Sequence, residues 1–222
     1  MICRVCSSPD TRPLWKDSDG FQWHRCVTCG SDTSEAVYEP DRYGREYITT
    51  LLGEEGNDPP ANHEHNADLF PEGKPGRTFL DVGTGHGASQ DVMRRRGWAT
   101  IGWDVSAAGR PPGTIVSESF RADLFARPFD AVLAREVLEH VQHPCVLLQE
   151  LRAATAPDGI LQLTTPRPID RGDEWRVYQW SHLAVWSPES LVPALQEAGF
   201  EVIQSILWEL GQRHVCRAFP TC

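Results

Sequence analysis

Three glycines at alternate positions carry the strongest chemical signal in this chain. Gly83, Gly85 and Gly87 follow a short apolar run that contains Asp81. Glycine tolerates positive φ and has no side chain, so the backbone can turn sharply and approach a ligand closely. A helix predicted to begin at about Ala88 would point its amide dipoles at a ligand above the turn. The pattern predicts a turn for a nucleotide-type cofactor. Because glycine-rich turns are common, this interpretation depends on the residues that follow.

An acidic residue ends the next predicted strand. The chain after the glycines reads as a helix that ends at Gly97, followed by a short buried strand that ends in Asp104. An acid about 20 residues beyond a glycine turn is placed to accept both hydroxyl hydrogens of a ribose diol. The alternative is that Asp104 only caps the next helix. The spacing favours the ribose interpretation.

Four of the seven cysteines form two Cys-x-x-Cys pairs. Cys3 and Cys6 are the first pair, and Cys26 and Cys29 are the second. Two such pairs about 20 residues apart are typical of a structural zinc site with four thiolate ligands. Because so short a segment buries little apolar surface, metal binding would supply its folding free energy. The alternatives are two disulfides, which a reducing compartment disfavours, or a redox pair, which the doubled motif disfavours.

The stretch E-V-L-E-H is a third group of residues that could do chemistry. Glu136, Glu139 and His140 are three and four residues apart, so a helical turn would place them on one face. Two carboxylates and an imidazole can hold a divalent cation. Alternatively, Glu139 and His140 serve the structure, or His140 acts as a general base. We predict His140 and Glu139 as the catalytic residues.

An alternation of strands and helices must position these residues. The pattern predicts an α/β fold with a Rossmann-like doubly wound sheet and a small N-terminal zinc ribbon. A short E-L-G-Q link between the last two strands predicts an antiparallel edge hairpin. The predicted strands are 78–82, 99–103, 114–117, 129–134, 159–164, 200–207 and 213–219, and the main helices are 87–97, 144–156 and 187–198.

The composition divides the chain into three regions. We predict a zinc-ribbon-like module at 1–35, a connector at 36–76 whose Gly and Pro residues indicate loops, and a catalytic domain at 77–222. His63 and His65, in the connector, are predicted to be solvated loop residues.

From about Arg77 to its C-terminus the chain resembles the class I S-adenosylmethionine-dependent methyltransferases. D-V-G-T-G-H-G matches the family's first motif and G-W-D-V-S its second. F-D-A-V-L-A-R-E-V-L-E-H-V matches the fourth-strand motif, and L-R-A-A-T-A-P-D-G-I-L-Q-L-T-T-P matches the segment after it. The late segment H-L-A-V-W-S-P-E-S-L-V-P-A-L-Q-E-A-G-F-E-V-I is similar to the family's last helix and sixth strand. Dinucleotide-binding enzymes usually have the spacing G-x-G-x-x-G instead.

The resemblance implies S-adenosylmethionine as the cofactor. Asp123 looks like the family's acid that hydrogen-bonds the adenine amino group, with an ordinary surface turn as the alternative. One departure is the Pro-rich stretch S-A-A-G-R-P-P-G-T after Asp104, where the family has a longer helix. The predicted cofactor-binding residues are Asp81, Gly83, Thr84, Gly85, Gly87, Asp104, Val105, Asp123, Leu124 and Arg135.

The resemblance also bears on the acceptor side. E-x-x-E-H is similar to the motif of two metal-binding groups, the small-RNA 2′-O-methyltransferases and the ubiquinone-pathway O-methyltransferases. His182 is placed like the later histidine of the RNA group. A metal there would bind a vicinal diol or catechol and lower the pKa of the hydroxyl to be methylated. The same motif occurs in methyltransferases with no known metal.

Aromatic residues are expected around both ligands. In this family a segment before the first strand often covers the cofactor, which predicts that role for Tyr43 or Tyr47; packing against the N-terminal module is the alternative. Further aromatic side chains are expected to wall the acceptor pocket, or in the case of Trp186 to pack in the core. These are Trp175, Tyr178, Trp180 and Trp186.

Charge and hydropathy limit the function. The net charge of −10 argues against a broad nucleic-acid-binding face. No apolar run of about 18 residues and no signal-peptide core are visible, so we expect a cytoplasmic protein without a membrane partner. The leading hypothesis is O-methylation of a small molecule, such as a secondary metabolite, sugar or cofactor precursor. The alternatives are an RNA or other macromolecule methyltransferase, or a non-catalytic binding protein.

Overall fold

The computed structural model describes residues 1–38, 60–170, 177–178 and 181–220. The predictions for Tyr43, Tyr47, Trp175 and Trp180 concern residues outside these ranges. The described strands are β1 (Thr11–Lys16), β2 (Gln22–Cys26), β3 (Asp32–Ser34), β4 (Thr78–Val82), β5 (Ala99–Asp104), β6 (Ile115–Val116), β7 (Phe129–Arg135), β8 (Thr155–Pro166), β9 (Ala184–Val185), β10 (Phe200–Leu207) and β11 (Gly211–Ala218). The described helices are α1 (Pro60–Ala67), α2 (Ala88–Arg95), α3 (Pro144–Ala154) and α4 (Pro188–Glu197).

The larger sheet has the strand order β10-β11-β8-β7-β4-β5-β6. β4 pairs in parallel with β5 and with β7, so Leu80 lies opposite both Ile101 and Val132. β4 and β7 are runs of mainly buried residues, as expected of central parallel strands. A short turn joins β10 to β11, with the Trp208 amide donating to the Gly211 carbonyl at 3.0 Å. The predicted Rossmann-like α/β fold is confirmed.

The smaller sheet has the order β1-β2-β3-β9 and contains the N-terminal strands. β2 pairs antiparallel with β1 and β3, and Arg25 lies opposite Asp32. β3 pairs antiparallel with β9, so Asp32 also lies opposite Val185. We call the strands β1 to β3 the N-terminal hairpin. It completes its sheet with β9, a strand from far along the chain, and the sequence did not predict this pairing.

The chain forms two compact units. The smaller sheet and the E-V-L-E-H stretch belong to one unit, and the glycine turn with Asp104 belongs to the other. The first unit consists of Met1–Tyr38, Arg135–Gln149 and Leu163–Cys216, and the second of Glu39–Ala134, Glu150–Gln162 and Arg217–Cys222. The division into 1–35, 36–76 and 77–222 stays a prediction.

An aromatic core in the first unit corrects one expectation. Tyr178 is only 2 % exposed and packs with Trp23, Val177 and Val185. The expectation that Tyr178 walls an acceptor pocket is therefore wrong. Trp186 is fully buried, as its core alternative required.

A helix in the predicted connector corrects another. α1 contains His63 and His65, so the prediction that both lie in a loop is wrong. His63 Nδ1 lies 2.9 Å from Ser89 Oγ. Ala67 and Phe70 are buried in the core of the second unit, against Phe79 among others. Tertiary packing, rather than a strong helix signal, stabilises this element.

The remaining elements follow the predictions with shifted ends. The predicted helix 87–97 is α2 at Ala88–Arg95, and the predicted strand 159–164 is longer, as β8 at Thr155–Pro166. None of the helices in the described ranges combines the length and apolar character needed to cross a bilayer.

Candidate functional site

The glycine turn has the backbone that its sequence predicts. Gly83, Gly85 and Gly87 all have positive φ, at 73°, 52° and 81°. The amides of Gly83 and Thr84 donate to the Trp103 carbonyl, which ties the turn to the end of β5. A Cβ built on Gly85 would meet no atom within 4 Å, so the backbone there is open to a ligand. This is the geometry of a turn that a cofactor can approach closely.

Buried hydrogen bonds hold the turn from beneath. Thr84 Oγ1 donates to Asp81 Oδ2 at 2.9 Å and accepts from Gln90 Nε2 at 2.5 Å. Asp81, Thr84 and Gln90 are all buried. Gln90 lies on α2, so the helix and the turn are fixed to each other. The sequence did not indicate Gln90, because a glutamine in a helix has no motif of its own.

Asp104 lies at the end of β5 beside the turn. Its Oδ2 accepts from the Gly85 amide at 3.1 Å, and its Oδ1 accepts from the Ser106 amide at 3.2 Å. Arg110 forms a two-point ion pair with it, with Nε 2.8 Å from Oδ2 and Nη2 2.8 Å from Oδ1. Four donors therefore occupy both carboxylate oxygens, so a ribose diol would have to replace some of them.

The Pro-rich stretch after Asp104 packs against the turn. A Cβ on Gly87 would overlap the ring of Pro111, so only glycine fits there. Arg110 belongs to the same stretch, and sequence reasoning missed it because the stretch departs from the family pattern. A basic residue within the loop after the acid was the available signal.

The other predicted cofactor residues differ in exposure. Val105 follows Asp104 directly and is partly buried. Asp123 and Leu124 lie in a 3₁₀ turn at Ala122–Leu124, where the exposed Asp123 pairs with Arg121. Arg135 is the last residue of β7 and is partly buried. The roles of these residues stay predictions.

The four N-terminal cysteines converge in the first unit. Cys3 Sγ lies 3.8 Å from Cys29 Sγ, and Cys6 Sγ lies 3.5 Å from Cys26 Sγ. All four sulfur atoms lie within 4.8 Å of one another. A disulfide needs about 2.05 Å between sulfurs, whereas zinc–sulfur bonds of about 2.3 Å in a tetrahedron place sulfurs roughly 3.8 Å apart. The observed spacing fits a tetrahedral metal site.

The pKa values of these thiols differ within the cluster. A hydrogen bond from Cys29 holds the pKa of Cys3 well below its ordinary value, at about 4. The same hydrogen bond, with burial, raises the pKa of Cys29, and burial raises that of Cys6. A bound cation would favour the thiolate form of all four sulfurs.

The E-V-L-E-H stretch does not form the helical face that its spacing suggested. Glu136 follows β7 with φ of 52°, in the left-handed region, and its amide donates to the Thr164 carbonyl at 2.9 Å. A short 3₁₀ turn at Leu138–His140 follows. The prediction of one helical face is wrong, because a sharp turn at the strand end precedes the short helix. A non-glycine residue in this conformation is strained, which is common at functional sites.

Tertiary structure nevertheless brings three of the candidates together. Glu139, His140 and His182 each offer a ligand atom, and these atoms lie within 4.8 Å of one another. The two imidazole rings meet edge to face, with 4.7 Å between centroids. His140 Nε2 lies 3.6 Å from Glu139 Oε1, and Thr165 donates to Glu139 Oε2 at 3.0 Å. We call these three residues the Glu139–His140–His182 cluster.

Backbone carbonyls fix the tautomer of both histidines. His140 Nδ1 lies 2.9 Å from the Ser181 carbonyl, and His182 Nδ1 lies 2.6 Å from the Val177 carbonyl. Because a carbonyl only accepts, each Nδ1 carries the proton and each Nε2 keeps its lone pair. Such orientation through the second ring nitrogen is what a histidine needs to act as a base or a metal ligand.

Burial sets the charges of the Glu139–His140–His182 cluster. It lowers the pKa of His140 to about 3, with a further contribution from His182, and that of His182 to about 4. Burial, followed by the neighbouring Glu136 charge, raises the pKa of Glu139 well above its ordinary value. At neutral pH the cluster therefore holds neutral histidines beside an acid that is readily protonated.

Comparisons with known proteins agree with this architecture. A family model described as a methyltransferase domain matches residues 58–205. The ubiquinone biosynthesis O-methyltransferase of Dinoroseobacter shibae is 24 % identical over 71 % of this chain and 77 % of its own length. That of Histophilus somni is 29 % identical over 40 % of this chain and 44 % of its own, so this match spans under half of the relative.

A solved structure shares the fold. The 1,6-didemethyltoxoflavin-N1-methyltransferase of Burkholderia thailandensis, solved with its substrate and S-adenosylhomocysteine, aligns with a TM-score of 0.59. The two proteins are 15 % identical, and the alignment covers 94 % of this chain and 99 % of that one. Because the family model covers most of the chain, the protein belongs to the family of S-adenosylmethionine-dependent methyltransferases.

Proposed function

We propose that this protein transfers a methyl group from S-adenosylmethionine to an oxygen atom of a small molecule. The Glu139–His140–His182 cluster carries the proposal, because it presents an oriented, neutral imidazole beside a buried carboxyl group. The names of the curated relatives, ubiquinone biosynthesis O-methyltransferases, support oxygen as the acceptor. The net charge of −10 favours a small molecule over a nucleic acid.

The glycine turn and Asp104 would hold the cofactor. The open backbone at Gly85 would lie against the amino-acid and ribose portions, and the Asp104 carboxylate would accept the ribose hydroxyls. Bound S-adenosylmethionine supplies an electrophilic methyl group on a sulfonium. The task of this chain is then to orient the two reactants and exclude water.

His140 would act as the base. The Ser181 carbonyl holds the Nδ1 proton, so the Nε2 lone pair is the one that accepts the hydroxyl proton of the acceptor. Glu139, within 3.6 Å of that nitrogen, would stabilise the imidazolium as it forms. Burial lowers the pKa of His140 and so makes it a weak base, whereas burial raises the pKa of Glu139; loss of the Glu139 proton would strengthen His140 as a base.

A second candidate chemistry is a divalent cation in the same cluster. One carboxylate and two imidazoles with ligand atoms within 4.8 Å are a donor set for such an ion. The ion would lower the pKa of an acceptor hydroxyl, and a catechol would bind it through both oxygens. These three side chains are suitable ligands for a divalent cation, but the role that we propose for His140 is that of the general base.

The cysteine cluster would bind one structural zinc ion. The sulfur–sulfur distances of 3.5 and 3.8 Å and the absence of disulfides among the described cysteines support this assignment. Cys3, Cys6, Cys26 and Cys29 would be the ligands, and zinc would supply folding free energy to the N-terminal strands. The ion would have no part in methyl transfer.

Cofactor binding tests the proposed function first. S-adenosylhomocysteine should bind with micromolar-class affinity, about −8 kcal/mol, and Asp104→Ala should weaken binding at least tenfold. Asp91→Ala is the matched control, because Asp91 is an exposed residue of α2 that pairs only with neighbouring Arg94 among the contacts described. Calorimetry that finds no binding to the wild type, or equal binding to Asp104→Ala, contradicts the proposal.

Acceptor identity needs an activity screen. Labelled S-adenosylmethionine should transfer its methyl group to at least one phenol, catechol or sugar hydroxyl. Loss of transfer in His140→Gln, with unchanged S-adenosylhomocysteine affinity, would place the defect at the acceptor. Transfer to a nitrogen or carbon acceptor alone would reject oxygen as the target.

A further inference from the structure

The N-terminal hairpin contains a buried ion pair whose hydrogen bonds extend to residues outside the hairpin. Asp32 is fully buried on β3, where Arg25 binds both of its carboxylate oxygens at 2.8 and 3.0 Å. Tyr178 donates a third hydrogen bond to Asp32, at 2.5 Å. These three hydrogen bonds hold the carboxylate in one position, and removing any of the donors would leave buried negative charge uncompensated.

Arg25 and Tyr178 both hold the backbone that follows β8. Arg25 Nη2 donates to the Ile169 carbonyl at 3.0 Å, and Nη1 lies 2.5 Å from Asp170 Oδ1. The Ile169 amide donates to the Tyr178 hydroxyl at 3.1 Å. The N-terminal hairpin therefore bonds to the chain on both sides of positions 171–176.

The Tyr178 ring also packs against aromatic residues of the N-terminal hairpin. Its ring meets Trp23 and Trp15 edge to face, with centroids 4.7 and 5.0 Å apart. Such contacts add stability beyond the area that they bury. The neighbouring residue, Val177, is 1 % exposed in the same core.

Val177 and Leu183 connect the hairpin to the Glu139–His140–His182 cluster. The Val177 carbonyl is the acceptor that fixes His182 Nδ1 at 2.6 Å. The Leu183 carbonyl accepts from the Ser34 amide at 3.0 Å, and the Leu183 amide donates to the Glu139 carbonyl at 2.7 Å. The hairpin thus contacts the segments on both sides of His182.

We propose that Arg25, Asp32 and Tyr178 are positioning residues for the acceptor side of the enzyme, and that the N-terminal hairpin orients His182 through Val177. The hairpin is then a part of the acceptor site rather than an appended binding module. The catalytic consequence rests on the proposed function, whereas the orientation of His182 does not. Among the described hydrogen bonds, the one from the Tyr178 hydroxyl joins Asp32 to residues 177–178.

Tyr178→Phe tests the connection with little damage to packing. The variant keeps the ring between Trp15 and Trp23 but removes the bonds to Asp32 and Ile169. In protein with ¹⁵N-labelled histidine, wild-type His182 should show the Nδ1-protonated tautomer with a slowly exchanging proton. In Tyr178→Phe that proton should exchange at least tenfold faster, and kcat should fall about tenfold while S-adenosylhomocysteine affinity stays unchanged.

Asp32→Asn and Asp17→Asn complete the comparison. Asp32→Asn should reproduce the His182 change more strongly. Asp17→Asn is the matched control, because Asp17 bonds the Phe21 amide and the Trp23 indole inside the same hairpin without a described contact to residues 169–178. It should leave His182 unchanged. If Asp32→Asn fails to fold, Tyr178→Phe decides alone.

Two results would overturn the positioning role. One is an unchanged His182 tautomer and exchange rate in Tyr178→Phe; the other is an equal change in Asp17→Asn, which would indicate general loosening of the hairpin. A wild-type enzyme that methylates no oxygen acceptor would instead reject the proposed function, and the histidine spectra would still decide the positioning role.

Discussion

The first unit contains two clusters of potential metal ligands with opposite chemical character. The cysteine cluster offers four soft thiols, one of which, Cys26, lies on β2. The Glu139–His140–His182 cluster offers one carboxylate and two imidazoles, of which Glu139 and His182 are buried and His140 is partly buried. The first set matches the preferences of zinc, and the second matches a proton acceptor or a harder divalent ion.

The two clusters also differ in how their ligands are held. Cys-x-x-Cys turns place each thiol pair by local backbone geometry, so four residues close in sequence define the site. The other cluster joins residues about 40 positions apart, and backbone carbonyls from Ser181 and Val177 set its tautomers. A site built locally depends on its ion for stability, whereas a site built by tertiary contacts depends on the fold around it.

Loss of a cysteine should have the largest effect. Cys26→Ser should abolish zinc binding and unfold the N-terminal hairpin, because metal ligation supplies on the order of 10 kcal/mol to such modules. Elemental analysis and hydrogen exchange across residues 1–38 measure this. Cys145→Ser is the control, since Cys145 is an exposed thiol outside the cluster. If the wild type contains no zinc and its hairpin amides are still fully protected from exchange, this site does not depend on an ion for its stability.

Glu139→Gln should have the next largest effect, on catalysis. The side chain keeps its volume but can no longer ionise to stabilise the His140 imidazolium, so kcat should fall about 100-fold or more with unchanged S-adenosylhomocysteine affinity. Mild chelation that leaves zinc in place distinguishes His140 as general base from a catalytic metal ion in this cluster. Activity that vanishes and returns with Mg²⁺ or Mn²⁺ supports the ion, and activity that persists supports His140 as base. Full activity of Glu139→Gln would leave this cluster only a structural role.

Acid should lower the unfolding free energy through His140 and His182. Their folded pKa values of about 3 and 4 lie below the unfolded value of about 6.5, so the unfolded state binds more protons between these limits. Stability from these groups is therefore present above about pH 6.5 and declines as pH falls, by up to roughly 1.4 kcal/mol per pH unit for each histidine. The raised pKa of Glu139 acts in the opposite direction, favouring the folded state as pH falls.

Urea denaturation at pH 7, 6 and 5 isolates the histidine contribution. His182→Asn removes one titrating group and keeps all four cysteines, so the difference in unfolding free energy from wild type should shrink by about 1 to 2 kcal/mol between pH 7 and 5. A difference that stays constant would show that His182 does not titrate as burial requires.

Thr165→Val should have the smallest effect. It removes the hydrogen bond to Glu139 Oε2 and keeps the side-chain shape, so the carboxyl would become harder to ionise. Loss of one hydrogen bond to a buried carboxyl is worth about 1 to 3 kcal/mol. We expect kcat to fall about fivefold to tenfold, with a larger fall at lower pH. Thr155→Val, at a buried threonine of β8 that bonds the Leu151 carbonyl instead, is the control.

The sequence by itself determined the local features. Glycine spacing predicted the positive-φ turn, because only glycine adopts that backbone without strain, and Cys-x-x-Cys spacing predicted the convergence of four sulfurs. The order of strands and helices predicted the sheet and its edge hairpin. In each case the relevant interactions lie between residues that are close in the chain or follow a regular repeat.

Only the tertiary structure decided the rest. The helical face predicted for Glu136, Glu139 and His140 does not form, because the chain turns sharply at Glu136 after leaving β7. The pairing of β3 with β9, the bond of Arg25 to Asp170 and the bond of Tyr178 to Asp32 join residues more than 100 positions apart, and no periodicity reports such contacts. Burial then sets which of these groups carry charge, since desolvation depends on everything packed around a side chain rather than on its neighbours in sequence.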